Sequence, residues 1–436
     1  MRQDTVNELL EYIKIASSPY QAVMEGSRRL KTAGFTELDM KDKWNLAKGG
    51  SYYVIPYATS LFAFTVGSMF KEGQNFRAAA AHTDHPGFRI KPNAEMITGN
   101  YIKLDTEVYG GPILNTWLDR PLSLAGRVAL KSKEPFHPEM RILDIGKPIL
   151  TIPNMAIHIN REVNKGLELN RQTDMLPILA VKEEYGARSR NNGRNYLIGC
   201  LADYLKVKPE DILDYDLSLY NAEEGCLVGL NDDFITAPRL DNLTSVLALI
   251  KGIVEGKRCT GINLIALYDN EEIGSKSKQG ADSAILNMLL EKLYAGLGVN
   301  PMEEINRTVA DSMLLSVDVA HALHPNRPEK YDPNNQAMPN AGVVLKIDSN
   351  QRYTFDTEAV AVLQQICELS GVKYQKFVNR SDMPGGRTLG PIISSWLPVK
   401  TADIGVPILG MHSARETMGA EDEEALIKLI SKYFQL

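Results

Sequence analysis

Cysteine is scarce. The chain has four in 436 residues (Cys200, Cys226, Cys259, Cys367), and none forms a C-x-x-C pair. That spacing excludes a disulfide frame and a zinc site built on paired thiolates, and it reads as the reduced thiols of an intracellular protein. A basic excess is also missing: 48 Lys and Arg face 54 Asp and Glu, a net charge of -6. With no Lys/Arg cluster interleaved with aromatics, a nucleic-acid partner is not expected. No apolar run approaches the roughly 20 residues that span a bilayer. The opening MRQDTVNELLEYIKIA carries acids early and lacks the basic-then-apolar layout of a signal peptide. A cytoplasmic protein without a membrane partner is the expectation. Motif absences narrow the chemistry further. There is no G-x-S-x-G elbow, no nucleophile motif around a cysteine, no H-E-x-x-H, no P-loop and no G-x-G-x-x-G.

What is present is an ordinary globular composition, 44% hydrophobic and 23% charged, at a length that suggests two or three domains. Helical periodicity marks Thr5 to Ala16 and Pro19 to Ala33, with Gly34 as a stop. Extended runs follow at Ser51 to Pro56 and Leu61 to Val66. The apolar run Phe76 to His82 is short and ends in a Pro-Gly turn, which favours a strand. From residue 94 to 233 the texture changes to short β-like runs (Arg127 to Leu130, Ile149 to Ile152, Met155 to Ile159, Pro177 to Val181) broken by Gly, Pro and Asn, with a polar loop at Ala187 to Arg194. This stretch is expected to be an inserted β-rich domain. Strand and helix then alternate: a helix from Leu240 to Ile253, a strand from Ile262 to Tyr268, a helix from Ala281 to Leu297, strands at Met313 to Val317 and Val406 to Leu409, and helices at Asp356 to Ser370 and Glu421 to Phe434. The expected fold is α/β, a central mixed sheet flanked by helices and assembled from residues 1–93 and 234–436.

Acids and histidines collect at the ends of these strands. His82 and Asp84 follow the first apolar strand, and Asp241 opens a helix. Asp269, Glu271 and Glu272 follow the strand ending at Tyr268, Asp318 and His321 the one ending at Val317, and His412 and Glu416 the one ending at Leu409. Ligands in open α/β sheets bind beyond the carboxyl ends of strands, so these segments can converge on one crevice. Each alone has a plainer reading. A histidine after a strand is commonly structural, Asp241 reads equally well as a helix N-cap, and a Glu-Glu pair is commonly solvated. The recurrence favours a site. Imidazole and carboxylate without thiolate suit Zn²⁺, Mn²⁺ or Co²⁺. Hydrolytic sites of this kind commonly hold two ions about 3.5–4 Å apart. Adjacent glutamates then fit two roles, one as ligand and one as base for the attacking water.

The blocks AHTDHPGFRIKP, PRLDNLTS, DNEEIGS, SVDVAHALHP, SDMPGGRTLGP and GVPILGMHSARE resemble, in order and spacing, the aspartyl aminopeptidase family of dizinc exopeptidases, from about residue 5 to the C-terminus. The resemblance implies a metal-dependent aminopeptidase acting on peptides and preferring Asp or Glu, with two divalent ions, most commonly Zn²⁺, in each subunit. It implies that His82, Asp241 and Asp318 hold one ion and Asp241, Glu272 and His412 the other. Glu271 would be the general base for a metal-bridging water, and Asp84 would orient His82. His158, in IPNMAIHINRE, would reach a neighbouring subunit's site in a homo-oligomer, a dodecamer in relatives. His321, Lys346 and Tyr353 would line the pocket for an acidic side chain. Taken alone, His158 reads as a strand histidine and Lys346 as a surface lysine.

Two departures bear on that preference. His85 stands where a small residue is expected after Asp84, and Gly and Arg occupy Pro384-Gly385-Gly386-Arg387 where relatives have Cys and a small hydroxyl residue. Both leave the ligand set intact but change the local charge. The alternatives are therefore a broad neutral-residue aminopeptidase, or a carboxypeptidase or N-deacylase on the same scaffold. A non-catalytic metal-bearing scaffold would have no need of both Glu271 and Glu272.

Overall fold

The computed structural model describes residues 2–166, 168–181 and 196–436. They form two compact units, Met1–Asp84 with Gly225–Met411 and Glu416–Leu436, and His85–Glu224 with His412–Arg415.

The first unit is built on a nine-stranded mixed sheet. Its strands lie in the order Thr36–Leu38, Ser51–Tyr57, Ser60–Val66, Ile262–Tyr268, Phe76–His82, Met313–Val317, Lys400–Gly405, Val343–Ile347 and Tyr374–Val378. The middle of the sheet reads Ile-Asn-Leu-Ile-Ala-Leu-Tyr beside Phe-Arg-Ala-Ala-Ala-Ala-His, nearly continuous apolar runs, because helices cover both faces. Small alanines at 79 and 81 let the helix Leu240–Glu255 pack closely on one face, where it is buried along almost its whole length. The helix Ile285–Gly296 covers the other face. A separate five-stranded sheet contains Ala320–His321, Pro407–Leu409 and Glu416–Gly419. Among the described residues no helix is long and apolar enough to cross a membrane.

The second unit carries a six-stranded sheet. The sequence placed the change of texture at residues 94 and 233, whereas the compact units divide at 84/85 and 224/225. Pairing explains the shift. Gly87–Thr98 bonds to Tyr101–Tyr109 and Ile212–Asn221, whereas Cys226–Val228 bonds to Phe234–Ala237 and through it to Glu416–Gly419. Met155–Ile159 is not a strand. It has no ladder partner among the described residues, its last three residues form a turn, and Met155, Ile157 and Ile159 are exposed. Alternating apolar residues gave a strand signal there that no neighbouring strand satisfies. Ile149 to Ile152 contributes isolated bridges only, and the helix Tyr196–Leu205 was not expected. The polar loop Ala187 to Arg194 lies outside the described residues.

The C-terminal helix Asp422–Gln435 buries an unusual carboxyl group. Glu423 is completely buried, and neither carboxyl oxygen has a hydrogen-bond partner. Burial pushes this carboxyl well above its ordinary value of 4.5, opposed by Lys251 and reinforced by Glu8 and Asp422. A carboxyl whose pKa is higher in the folded state costs nothing below its unfolded pKa and destabilises increasingly as pH rises above it. Glu423→Met should therefore raise the thermal midpoint, by about 1–3 kcal/mol of stability at alkaline pH, and by less at pH 5. Thermal unfolding at pH 5 and 8.5 checks this. An equal loss at both pH values would show that the carboxyl has a stabilising partner.

Candidate metal centre

Three parallel strands end side by side. Tyr268 pairs with His82, and Ser316, two residues before Asp318, pairs with Ala80. The segments leaving these carboxyl ends carry Glu271 and Glu272, Asp84, and Asp318. The helix beginning at Leu240 brings Asp241 to the same place, and the Asn242 side chain donates to the Val317 carbonyl at 2.9 Å. Asp241 is not the N-cap that its position suggested. Arg239 occupies that position, and Asp241 has φ -77° and ψ 105°, outside the helical region. Its amide donates to the buried Glu416 carboxylate at 3.0 Å, which leaves its side chain aimed at His82.

The ligand-type atoms of His82, Asp241 and Asp318 lie within 4.8 Å of one another, and so do those of His82, Glu271 and Glu272. His82 Nε2 is 3.4 Å from Asp241 Oδ1 and 3.5 Å from Asp318 Oδ1. Complete burial disfavours a charged imidazole, yet Asp241, Asp318 and Asp84 hold the His82 pKa well above its ordinary value. One imidazole among several buried carboxylates is a donor set that fits a divalent cation, which neutralises the carboxylates without requiring a protonated ring.

The histidine tautomers agree with this chemistry. His82 Nδ1 lies 3.0 Å from the Asp84 carbonyl, and His412 Nδ1 lies 3.1 Å from the Gly111 carbonyl. A carbonyl only accepts, so both Nδ1 atoms carry the proton and both Nε2 lone pairs remain for a ligand role. His412 has a left-handed backbone, φ 68°, and belongs to the second unit.

Asp84 acts more widely than the sequence suggested. Its two carboxylate oxygens accept the backbone amides of Glu271 and Glu272, each at 3.1 Å, and so fix the short turn Glu271–Ile273. Its Oδ1 is also 3.4 Å from His82 Nδ1. Burial pushes the Glu271 carboxyl up to about 8; His82 pulls it down, and Asp318, Asp84 and Asp241 push it up. A divalent cation nearby would restore its ionised form.

Lys346 is not a surface lysine. It is 2% exposed, and its Nζ donates to the Asp318 carbonyl at 2.9 Å and the Val319 carbonyl at 3.3 Å, with Asp318 Oδ2 at 3.9 Å. The face of Tyr353, also buried, lies 5.1 Å from the ammonium. His321 stacks at a tilt on Phe377, which shares a small apolar cluster with Tyr353. His321, Lys346 and Tyr353 therefore occupy one neighbourhood beside Asp318. His158 sits in an exposed turn of the second unit and is not part of these groups. His85 is buried at the start of the second unit, and Arg387 is exposed. Sequence reading missed Asp403, a carboxylate inside the strand Lys400–Gly405 that is 1% exposed. An aspartate between Ala402 and Ile404 was the available signal.

The model of the aminopeptidase I zinc metalloprotease (M18) family matches residues 12–434. A probable M18 family aminopeptidase 2 of Clostridium acetobutylicum is 45% identical over 430 residues, covering 98% of each chain. Aspartyl aminopeptidase 4 of Saccharomyces cerevisiae is 37% identical over 465 residues, covering 100% of this chain and 95% of the relative. Among solved structures, a chain of the cryo-EM structure of the Ape4 and Nbr1 complex superposes with a TM-score of 0.95 at 32% identity, covering 100% of this chain and 86% of that one. The S. cerevisiae mApe1 dodecamer superposes at 0.83 and 26% identity, covering 99% and 96%.

Proposed function

The chain belongs to the M18 aminopeptidase family of zinc metalloproteases, and on that premise we propose that it removes N-terminal residues from peptides with a preference for Asp and Glu. The observation that carries the preference is the buried Lys346 ammonium beside Asp318. The relative described as an aspartyl aminopeptidase supports the same reading.

Two zinc ions are proposed, one held by His82, Asp241 and Asp318 and one by Asp241, Glu272 and His412. Bound zinc supplies Lewis acidity, lowering the pKa of water and stabilising the oxyanion that forms at the scissile carbonyl. Glu271 accepts the attacking water's proton at its carboxylate and passes it to the leaving amine. Asp84 holds that carboxylate in register by accepting both amides of its turn. Adjacent glutamates divide the work, since Glu272 is committed as a ligand and Glu271 stays free for the proton. Lys346 donates to the substrate's side-chain carboxylate, His321 and Tyr353 line the same pocket, and Asp318 thereby connects recognition to catalysis.

Lys346→Met should erase most of the acidic preference. A charge-assisted bond in a partly desolvated pocket contributes roughly 1.5–3 kcal/mol, which corresponds to about ten- to a hundredfold in kcat/KM for Glu- over Gln-terminated peptides. An unchanged ratio in the variant would remove Lys346 from the pocket. A wild-type ratio near one would identify a broad neutral aminopeptidase.

Assembly into a homo-oligomer, a dodecamer, is part of the same proposal and is supported by the dodecameric relative. It would give the exposed His158 turn a neighbouring subunit's site to reach. Light scattering at micromolar concentration tests it, and a fully active monomer would contradict it.

A further inference from the structure

Burying an ammonium as completely as Lys346 requires compensation. The carbonyls of Asp318 and Val319 supply dipoles, and the Asp318 carboxylate is committed to a metal on the reading above. A second carboxylate stands on the other side. Lys346 and Asp403 are directly opposed in the antiparallel pair Val343–Ile347 and Lys400–Gly405, so their side chains leave the same face of the sheet. Asp403 is held among donors. The Thr354 amide donates to its Oδ2 and the nearby Ser316 and Thr388 hydroxyls favour its charge, while its Oδ1 has no hydrogen-bond partner. Ser316 Oγ itself accepts the Gly390 amide at 3.0 Å, which leaves its proton for Asp403. The helix Leu389–Trp396 approaches so closely that a Cβ at Gly390 would come within 2.7 Å of Asp403 Oδ2. An acceptor-only carboxylate suits a setting made of donors. Burial pushes the Asp403 carboxyl up, whereas Lys346 and these donors favour its charge.

We propose that Asp403 is a specificity-determining residue that moderates the acidic preference, because its carboxylate opposes the Lys346 ammonium from beneath the pocket and partly cancels the field that an incoming substrate carboxylate meets. Two effects have the same sign. Asp403 weakens the attraction from Lys346, and it repels the substrate's own carboxylate. Lys346 stays where it is when Asp403 loses its charge, because two main-chain carbonyls hold the ammonium independently. The consequence for turnover is that acidic products leave and neutral residues are tolerated. The inference rests on the reading that Lys346 recognises an acidic N-terminal side chain.

The test is Asp403→Asn, isosteric and neutral, made in the fully metal-loaded enzyme. The kcat/KM ratio for matched Glu- and Gln-terminated peptides should rise roughly tenfold, as expected for removing one like charge near a partly desolvated site. The change should come from the Glu peptide, and inhibition by free glutamate should tighten in step. In a Lys346→Met background the same substitution should move the ratio much less, since the partner charge is gone. A ratio that is unchanged, with both substrates declining together, would make Asp403 a structural residue only. A ratio that falls would mean that Asp403 holds Lys346 charged or in place, and would overturn the proposal. A wild-type ratio near one would defeat the reading of Lys346 first, and this inference with it. Should Asp403→Asn fail to fold, Asp403→Ser, smaller and neutral, should raise the ratio in the same direction, and an unchanged or lower ratio there would count against the proposal.

Discussion

Glu271→Gln should abolish turnover, by about 10²–10⁴-fold or more, while metal content stays near that of the wild type. Gln matches Glu in shape and keeps the turn Glu271–Ile273, whose amides are fixed by Asp84 through the backbone and not through the Glu271 side chain. What it lacks is the capacity to take the proton of the attacking water. Metal analysis alongside peptide hydrolysis separates the cases. Near-normal turnover at full metal loading would assign the proton transfer to another group.

Asp241→Ala should have the second large effect and should differ in kind, losing metal together with activity. Asp241 sits against His82 inside a buried donor set. It is also the ligand proposed to serve both ions, so its removal withdraws a negative charge from each. The amide of residue 241 can still bond to Glu416, so the fold is expected to survive. Removing a carboxylate from a buried ligand set costs binding directly and leaves neighbouring ligands poorly placed. Metal content of the purified variant and its unfolding midpoint decide the matter. A variant that keeps two equivalents of metal per chain would show that Asp241 is not a bridging ligand.

Much of this was legible in the chain, and the reasons are physical. Strand runs such as Ile262 to Tyr268 and Phe76 to His82 announce themselves because strands covered on both faces are almost wholly apolar. Acids and histidines just beyond them stand out against that background, which is why His82, Glu271, Glu272 and Asp318 could be singled out as candidates, whereas their separate roles came from the family resemblance. Three kinds of information were not local. The role of Asp84 toward the Glu271 turn depends on residues 187 apart in sequence meeting where two strands end side by side. Taken alone, Asp241 read equally well as a cap because its residue type favours helix starts, whereas its backbone leaves the helical region and its carboxylate lies against His82. Taken without the resemblance, Lys346 read as a surface residue because lysine usually is one, and its partners, two main-chain carbonyls, leave no mark in sequence. The run Met155 to Ile159 shows the opposite failure. Alternation is a necessary sign of a strand, but a strand also needs a neighbour.

Removal of metal with a chelator, followed by titration with Zn²⁺ and simultaneous measurement of bound metal and of N-terminal residue release from a free and an N-acetylated peptide, tests metal-dependent aminopeptidase action most directly. Activity should be absent in the stripped protein and should return with two equivalents per chain, on the free peptide only. Full activity without metal, or equal cleavage of the acetylated peptide, would contradict it.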